Sequence, residues 1–290
     1  MRPKRRYGQN FLVGHGYPAR IVAALGPRPG EEILEIGPGE GALTQLLLEA
    51  GAHVTAIEVD ADLIPLLNAR FGATSRFRLL HADALTVDLG ALHSPGLRVR
   101  VVANLPYYIS TAMVQHLLAH RHCVEEMVLM LQREVVERII APPGSRTYGY
   151  LSILVQLFCR ADVLFDVPPG AFHPAPKVDS SVLRLRPTAE PAIPVGDVRA
   201  FLTLCQVLFS QRRKTLANNL RAGLTRLGLG PEAKARLGLL LAEAQIDGQR
   251  RAETLSLTEL AALDAVLSRE VTEAFSPNDP IPLMQINADA

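Results

Sequence analysis

Cysteine is scarce in this chain, and its spacing excludes more than its number. Cys123, Cys159 and Cys205 are far apart, odd in number and without metal-ligand spacing, so neither a disulfide framework nor a metal site is expected. They read as core thiols of a reducing compartment. Long apolar runs are missing too, since none approaches the ~18 residues of a membrane span. The basic start of the chain leads into Tyr7-Gly8-Gln9-Asn10 rather than an apolar segment, so no secretory signal is read and a cytoplasmic protein is expected. Charge of one sign is also lacking. With 30 Lys and Arg against 29 Asp and Glu, the net charge of +1 points to no polyanionic partner. Two local clusters remain, Arg2, Lys4, Arg5 and Arg6 at one end and Arg212, Arg213 and Lys214 further on, and each can grip phosphates. No Gly-Lys-Ser/Thr is present, which excludes a phosphate-cradling P-loop.

What is present is enough apolar sequence, 48% of 290 residues, to bury the core of two domains or of one large one. Candidate strands Glu32–Ile36, His53–Glu58, Phe77–His81, Arg98–Ala103 and Glu126–Leu131 alternate with helical stretches Leu43–Ala50, Ala61–Phe71 and Ser110–Arg121. That alternation predicts α/β architecture, a doubly wound sheet of parallel βαβ units. Two further strands, Ala161–Val167 and Val178–Arg186, are separated by Pro168–Pro176. The connection is too short for a helical crossover and predicts an antiparallel hairpin at the sheet edge. Composition changes near Pro187, and beyond a Pro- and Ala-rich linker the pattern is helical only: Asp197–Phe209, Arg213–Ala222, Pro231–Leu241 and Ser256–Arg269. Ser256-Leu-Thr-Glu259 reads as a capping box. The expected division is an α/β domain over 1–187, a small all-α domain over 188–276 and an irregular tail over 277–290.

Polar residues gather at the ends of the first strands. Gly37-Pro-Gly39-Glu-Gly41 follows the first, where glycine allows a tight turn and close approach of a ligand to backbone. Glu58 ends the second strand, placed for ribose hydroxyls in a nicotinamide enzyme or a methyltransferase alike. Asp83 follows the third, and could accept from an adenine amino group. Asn104-Leu105-Pro106-Tyr107 follows the fourth. The Asn104 side-chain oxygen is one acceptor for an exocyclic amino group. Pro106 pushes Leu105 toward extended backbone, which can turn its carbonyl to the same amine. Tyr107 offers a flat face for a base. Alone, each is an ordinary turn residue; ligands of open α/β sheets, however, bind at this one edge. A nicotinamide or flavin enzyme gives no reason for the third and fourth sites. S-adenosylmethionine explains both, with its own pocket beside one for a target adenine.

With these residues placed, the chain resembles the ribosomal RNA adenine dimethylases, most nearly the bacterial small-subunit type. Five segments carry the resemblance in order: Arg5 to Leu12, Glu35 to Thr44, Asn104 to Thr111, Phe172-His-Pro-Ala-Pro-Lys-Val178 and Phe209-Ser-Gln-Arg-Arg-Lys-Thr215. It implies a Rossmann-like class I S-adenosylmethionine-dependent methyltransferase domain, with Asn10 and Leu12 closing over the methionine end. Gly37 and Gly39 would line the floor, Glu58 take the ribose, Asp83 the adenine, and Asn104 stand between cofactor and substrate. Tyr107 and Phe172 would sandwich the target base, and Arg5, Arg6, Arg212, Arg213 and Lys214 would hold RNA phosphates. The implied substrate is a pair of adjacent adenosines in the 3′-terminal hairpin of 16S ribosomal RNA, in the 30S subunit or its precursor, with a role in subunit biogenesis. A monomer is expected, and no metal. Tyr108 departs from the family pattern, in which Asn is often seen. Large-subunit methylases share the first-domain motifs, but Gln211 to Lys214 and the helical domain favour the small-subunit type. A DNA adenine methylase and a non-catalytic assembly factor are the competing readings.

Overall fold

Apolar strands that each run into a polar or glycine-rich turn set the architecture. It is described here by a computed structural model for residues 9–14, 16–93 and 96–271. The chain enters through a short strand, β1 (Phe11–Leu12), and a helix, α1 (Gly16–Leu25). Helix α1 buries Pro18, Ile21, Val22 and Leu25, one helical face, and tolerates Pro18 because it sits in the first turn. Strands and helices then alternate: β2 (Glu32–Ile36), α2 (Ala42–Glu49), β3 (His53–Glu58), α3 (Ile64–Phe71), β4 (Phe77–His81), β5 (Val99–Asn104), α4 (Ser110–Ala119) and β6 (Val124–Gln132). After α5 (Arg133–Ile139) and α6 (Tyr150–Phe158) come β7 (Cys159–Val167), β8 (Phe172–His173) and β9 (Ser180–Pro187).

Seven strands form one sheet in the order β4-β3-β2-β5-β6-β9-β7. Strands β2 to β6 are mutually parallel, and β9 runs antiparallel to β6. The last two strands of the sequence reading are therefore neighbours, with β7 at the edge. Strand order reverses between β2 and β5, so a crevice opens there at the carboxyl ends. Ile33, Leu34, Val101, Val102, Val128 and Leu129 are fully buried, as expected of strands covered on both faces. A separate two-stranded ribbon pairs β1 with β8, matching Phe11 to His173 and Leu12 to Phe172.

The remaining elements are helical: α7 (Val198–Phe209), α8 (Leu216–Gly223), α9 (Pro231–Glu243) and α10 (Leu257–Leu267). Every residue from Phe201 to Phe209 is buried, which makes α7 the central helix of this part. The capping box is present: Glu259 N–H donates to Ser256 Oγ at 3.2 Å and Ser256 N–H to Glu259 Oε2 at 2.8 Å. Two compact units result, one comprising residues up to Val136 with Arg160–Pro187, the other Glu137–Cys159 with Thr188 onward. The segment Glu137–Cys159 thus groups with the helices, a departure from a single division at 187. Its Tyr148 ring meets Phe209 edge-on at 5.9 Å, and α6 is buried almost all round. The expected tail lies outside the described residues.

Candidate active site

The glycine turn after β2 holds three residues with left-handed backbone, Gly37, Gly39 and Gly41, at φ of 67°, 59° and 86°. Each serves a different contact. Gly37 N–H donates to the Ile57 carbonyl at 2.9 Å, tying the turn to β3. A Cβ on Gly39 would lie 3.1 Å from the Phe11 ring, so residues 9–13, a strap containing β1, pack directly on this turn. A Cβ on Gly41 would stand 2.4 Å from Phe71, so this glycine lets α3 close onto α2.

Gly37, Gly39, Glu58, Asp83 and Asn104 line one cavity of about 270 Å³, and Asn10 and Leu12 line it from the strap. The strap is held at both ends. Gln9 Nε2 donates to Asp60 Oδ2 at 2.8 Å, and Val13 N–H donates to the Ala171 carbonyl at 2.9 Å.

Glu58 is 5% exposed and accepts from three backbone N–H groups, those of Gly39, Val59 and Asp60. Burial nevertheless raises its carboxyl above the ordinary value. Asp83 is exposed and uses Oδ1 to cap the Leu85 N–H at 3.0 Å. Among the described residues nothing donates to its other oxygen.

Asn104 closes β5. Its Nδ2 donates to the Asn10 carbonyl at 3.2 Å, which fixes the amide with Oδ1 turned the other way. No described residue donates to Oδ1, nor to the carbonyl of Leu105, whose side chain is buried. Pro106 is extended at φ −56° and ψ 135°, and Leu105 N–H is held by the Met130 carbonyl at 3.2 Å. Tyr107 lines the cavity with its hydroxyl 2.8 Å from Ser180 Oγ, and burial pushes its phenol up. Tyr108, 60% exposed, lines the same cavity.

Phe172 does not stand where the resemblance implied. It is 4% exposed, belongs to the apolar core and does not line the cavity. The reason is the period of two in β8: pairing with β1 turns Phe172 inward and His173 outward. Its role in this structure is to seat the strap.

Glu35 also lines the cavity, a residue that the strand-end pattern does not mark. It is 1% exposed, Thr44 Oγ1 donates to its Oε2 at 2.6 Å, and its buried Oε1 has no partner among the described residues. Burial pushes its carboxyl up to about 7, the Thr44 hydrogen bond opposing and Glu58 adding to the rise. An acid inside the apolar strand Glu32–Ile36, two residues before the first glycine, was the available signal. Such an orphaned oxygen suits a cationic ligand group, and S-adenosylmethionine carries an ammonium. Apolar walls, the Glu58 and Asp83 carboxylates and this oxygen together fit that cofactor.

Arg212, Arg213 and Lys214 are exposed on the helical unit. They lie in a loop rather than in a helix, because Thr215 caps α8 through Asn218 N–H at 3.4 Å. Arg212 donates to the Arg146 carbonyl at 2.6 Å, Gly144 N–H to Glu253 at 2.6 Å and Leu216 N–H to Arg250 at 2.8 Å. Three loops thereby meet and add exposed Arg146 and Arg251, which isolated positions in sequence could not reveal. Arg5 and Arg6 lie outside the described residues. No helix among the described residues is long and apolar enough to cross a membrane.

The chain is similar to known RNA methyltransferases in sequence and in fold. A ribosomal RNA small subunit methyltransferase A of Pseudomonas aeruginosa is 51% identical over 220 residues, 76% of this chain and 82% of that protein. Its counterpart from Hahella chejuensis is 44% identical over 242 residues, 81% and 89% of the two chains. Among solved structures, a dimethyladenosine transferase from Plasmodium falciparum superposes with a TM-score of 0.73 at 25% identity, covering 90% of this chain and 98% of that one. The 23S rRNA methyltransferase ErmE superposes with a TM-score of 0.64 at 25% identity, covering 89% and 100%. The family model for ribosomal RNA adenine dimethylase matches residues 1–263, and the chain belongs to that family.

Proposed function

We propose that this protein places two methyl groups on the exocyclic nitrogen of each of two adjacent adenosines in the 3′-terminal hairpin of 16S ribosomal RNA. It would act as a monomer on the 30S subunit or its precursor, with a role in subunit biogenesis. The observation that carries the reading is the pair of acceptors, Asn104 Oδ1 and the Leu105 carbonyl, unclaimed by described donors beside the cofactor cavity. When bound, S-adenosylmethionine supplies an electrophilic methyl carbon whose bond to sulfur breaks with the electron pair returning to sulfur.

The chain's own residues do the rest. The adenine amine is a poor nucleophile because its lone pair is conjugated into the ring. Hydrogen bonds from its two N–H groups to Asn104 Oδ1 and the Leu105 carbonyl localise that pair and aim it. Positive charge then develops on the nitrogen between two fixed dipoles, which stabilise it where it forms. No base is needed first, since the proton can leave to water after attack. The base must leave its stack to enter, and Tyr107 gives it a face, at about 1–3 kcal/mol for such a contact. Glu58 would hold the ribose, Asp83 the adenine amine of the cofactor, Glu35 its ammonium, with Asn10 and Leu12 above.

Transfer of labelled methyl to unmethylated small subunits, naked ribosomal RNA and duplex DNA tests this directly. Dimethyladenosine in the subunits is the expected product. Label in DNA, or cofactor binding without transfer to any of the three, would overturn the reading in favour of a DNA methylase or an assembly factor.

The loop cluster around Arg212, Arg213 and Lys214 would hold RNA phosphates, which give affinity without sequence information. Affinity for the subunit should fall log-linearly with salt. Replacing all three by alanine should make that slope shallower by about 2. An unchanged slope in a binding titration would remove these residues from the interface.

A further inference from the structure

We propose that Ser180 is a positioning residue for the reaction: its hydroxyl fixes the Tyr107 ring against the target base, and the second methyl transfer depends on that hold more than the first. This rests on the reading of Tyr107 as the stacking face.

Tyr107 lies in a single 3₁₀ turn, Tyr107–Ile109, closed by a hydrogen bond of 3.2 Å from Ile109 N–H to the Pro106 carbonyl. Such a turn sets the backbone but leaves the ring able to swing. The far end of the ring is what is tied, with the phenol oxygen 2.8 Å from Ser180 Oγ. Ser180 is 0% exposed and opens β9, opposite Gln132 of β6, so its hydroxyl is built into the sheet. The next residue pins the same strand end, Ser181 Oγ donating to Asp166 Oδ1 at 2.6 Å. A half-buried ring is thus held at its backbone by one element and at its hydroxyl by another.

The two transfers place different demands on this hold. Each forms one N–C bond, leaves the C–S electron pair on sulfur and releases one proton from the amine to water. For the first transfer the amine carries two protons, one for Asn104 Oδ1 and one for the Leu105 carbonyl. Once monomethylated it carries one, and an acceptor loses its partner. The base is then oriented chiefly by its contact with the ring. Loosening the ring should impair the second transfer more than the first.

The experiment measures monomethyl- and dimethyladenosine formed on unmethylated small subunits by full-length Ser180→Ala, Tyr107→Phe and the double variant. Thermal midpoint and S-adenosylmethionine Kd are measured alongside. Either single change removes the same hydrogen bond, and Tyr107→Phe does so without touching β9, so a folding defect in one leaves the other to decide. The monomethyl to dimethyl ratio should rise about five-fold in each, the ordinary worth of one neutral hydrogen bond, and no further in the double variant. Cofactor Kd should not move in Ser180→Ala, since Ser180 does not line the cavity. An unchanged ratio in Tyr107→Phe, or additive effects in the double variant, would overturn the proposal. Tyr107→Ala separates the two levels. If it transfers both methyls at the parental rate, the stacking reading itself fails. If it is crippled while Tyr107→Phe leaves the ratio unmoved, only the clamp fails.

Discussion

Asn104→Ala should lower methyl transfer by about 10²–10³-fold while cofactor affinity stays within a few fold, the scale seen when one dipole aimed at developing charge is removed. The expectation follows from how the side chain is held. Its Nδ2 is committed to the Asn10 carbonyl, so Oδ1 is presented without any rearrangement at the moment of reaction. Alanine removes an acceptor and also unties the strap from β5. Glu58, Asp83 and the glycine turn remain, so the cofactor keeps most of its contacts. Asn104→Asp is the sharper variant, because it keeps an oxygen toward the amine but sets a second one against the Asn10 carbonyl. It should recover part of the rate only if orientation of the amide matters less than the acceptor. Single-turnover transfer with saturating cofactor, and cofactor Kd by calorimetry, give the two numbers. Turnover within a few fold of the parent in Asn104→Ala would remove the acceptor mechanism.

Glu35 gives the second large effect, and its sign differs between binding and folding. Its carboxyl is pushed up to about 7 by burial, against 4.5 for an unburied glutamate. The folded chain therefore holds a proton that the unfolded chain releases. This contribution to stability is fully present below about pH 4.5 and lost as pH rises through about 7, and it amounts to about 3 kcal/mol. Cofactor binding runs the other way, since an ammonium beside Glu35 favours the ionised form. Affinity should rise up to about tenfold per pH unit toward 7 and then level. Glu35→Gln keeps an acceptor for Thr44 and removes the charge. It should flatten the affinity profile, weaken cofactor binding at pH 7.5 and stabilise the free protein above pH 7. Cofactor titrations from pH 5.5 to 7.5, with denaturant unfolding over the same range, test both signs. A profile equally steep in the Gln variant would assign the proton to another group.

Much of the fold was legible because parallel strands announce themselves. Runs such as Glu32–Ile36 and His53–Glu58 are apolar, short and bounded by turn residues, and both agree with the structure residue for residue. Helices with one apolar face were equally plain. Helix α1 was hidden by the glycines and proline around its start, and α6 by the buried setting of even its polar Ser152. The Arg213–Ala222 pattern starts three residues before α8, since periodicity cannot tell the loop before a Thr cap from the first turn after it.

The chain by itself determined the chemistry on offer: glycines at a turn, acids at two strand ends, and an Asn-Leu-Pro-Tyr at a third. These are local consequences of residue type, and spacing along the chain suffices to order them. Tertiary structure decided which groups face one another. It turned Phe172 into the core, set Asn104 by a carbonyl 94 positions away, and tied Tyr107 to a serine 73 positions on. It also left one oxygen of Glu35 buried without a described partner. Burial and hydrogen bonding between distant segments depend on how sheet and strap pack, and no local pattern encodes them.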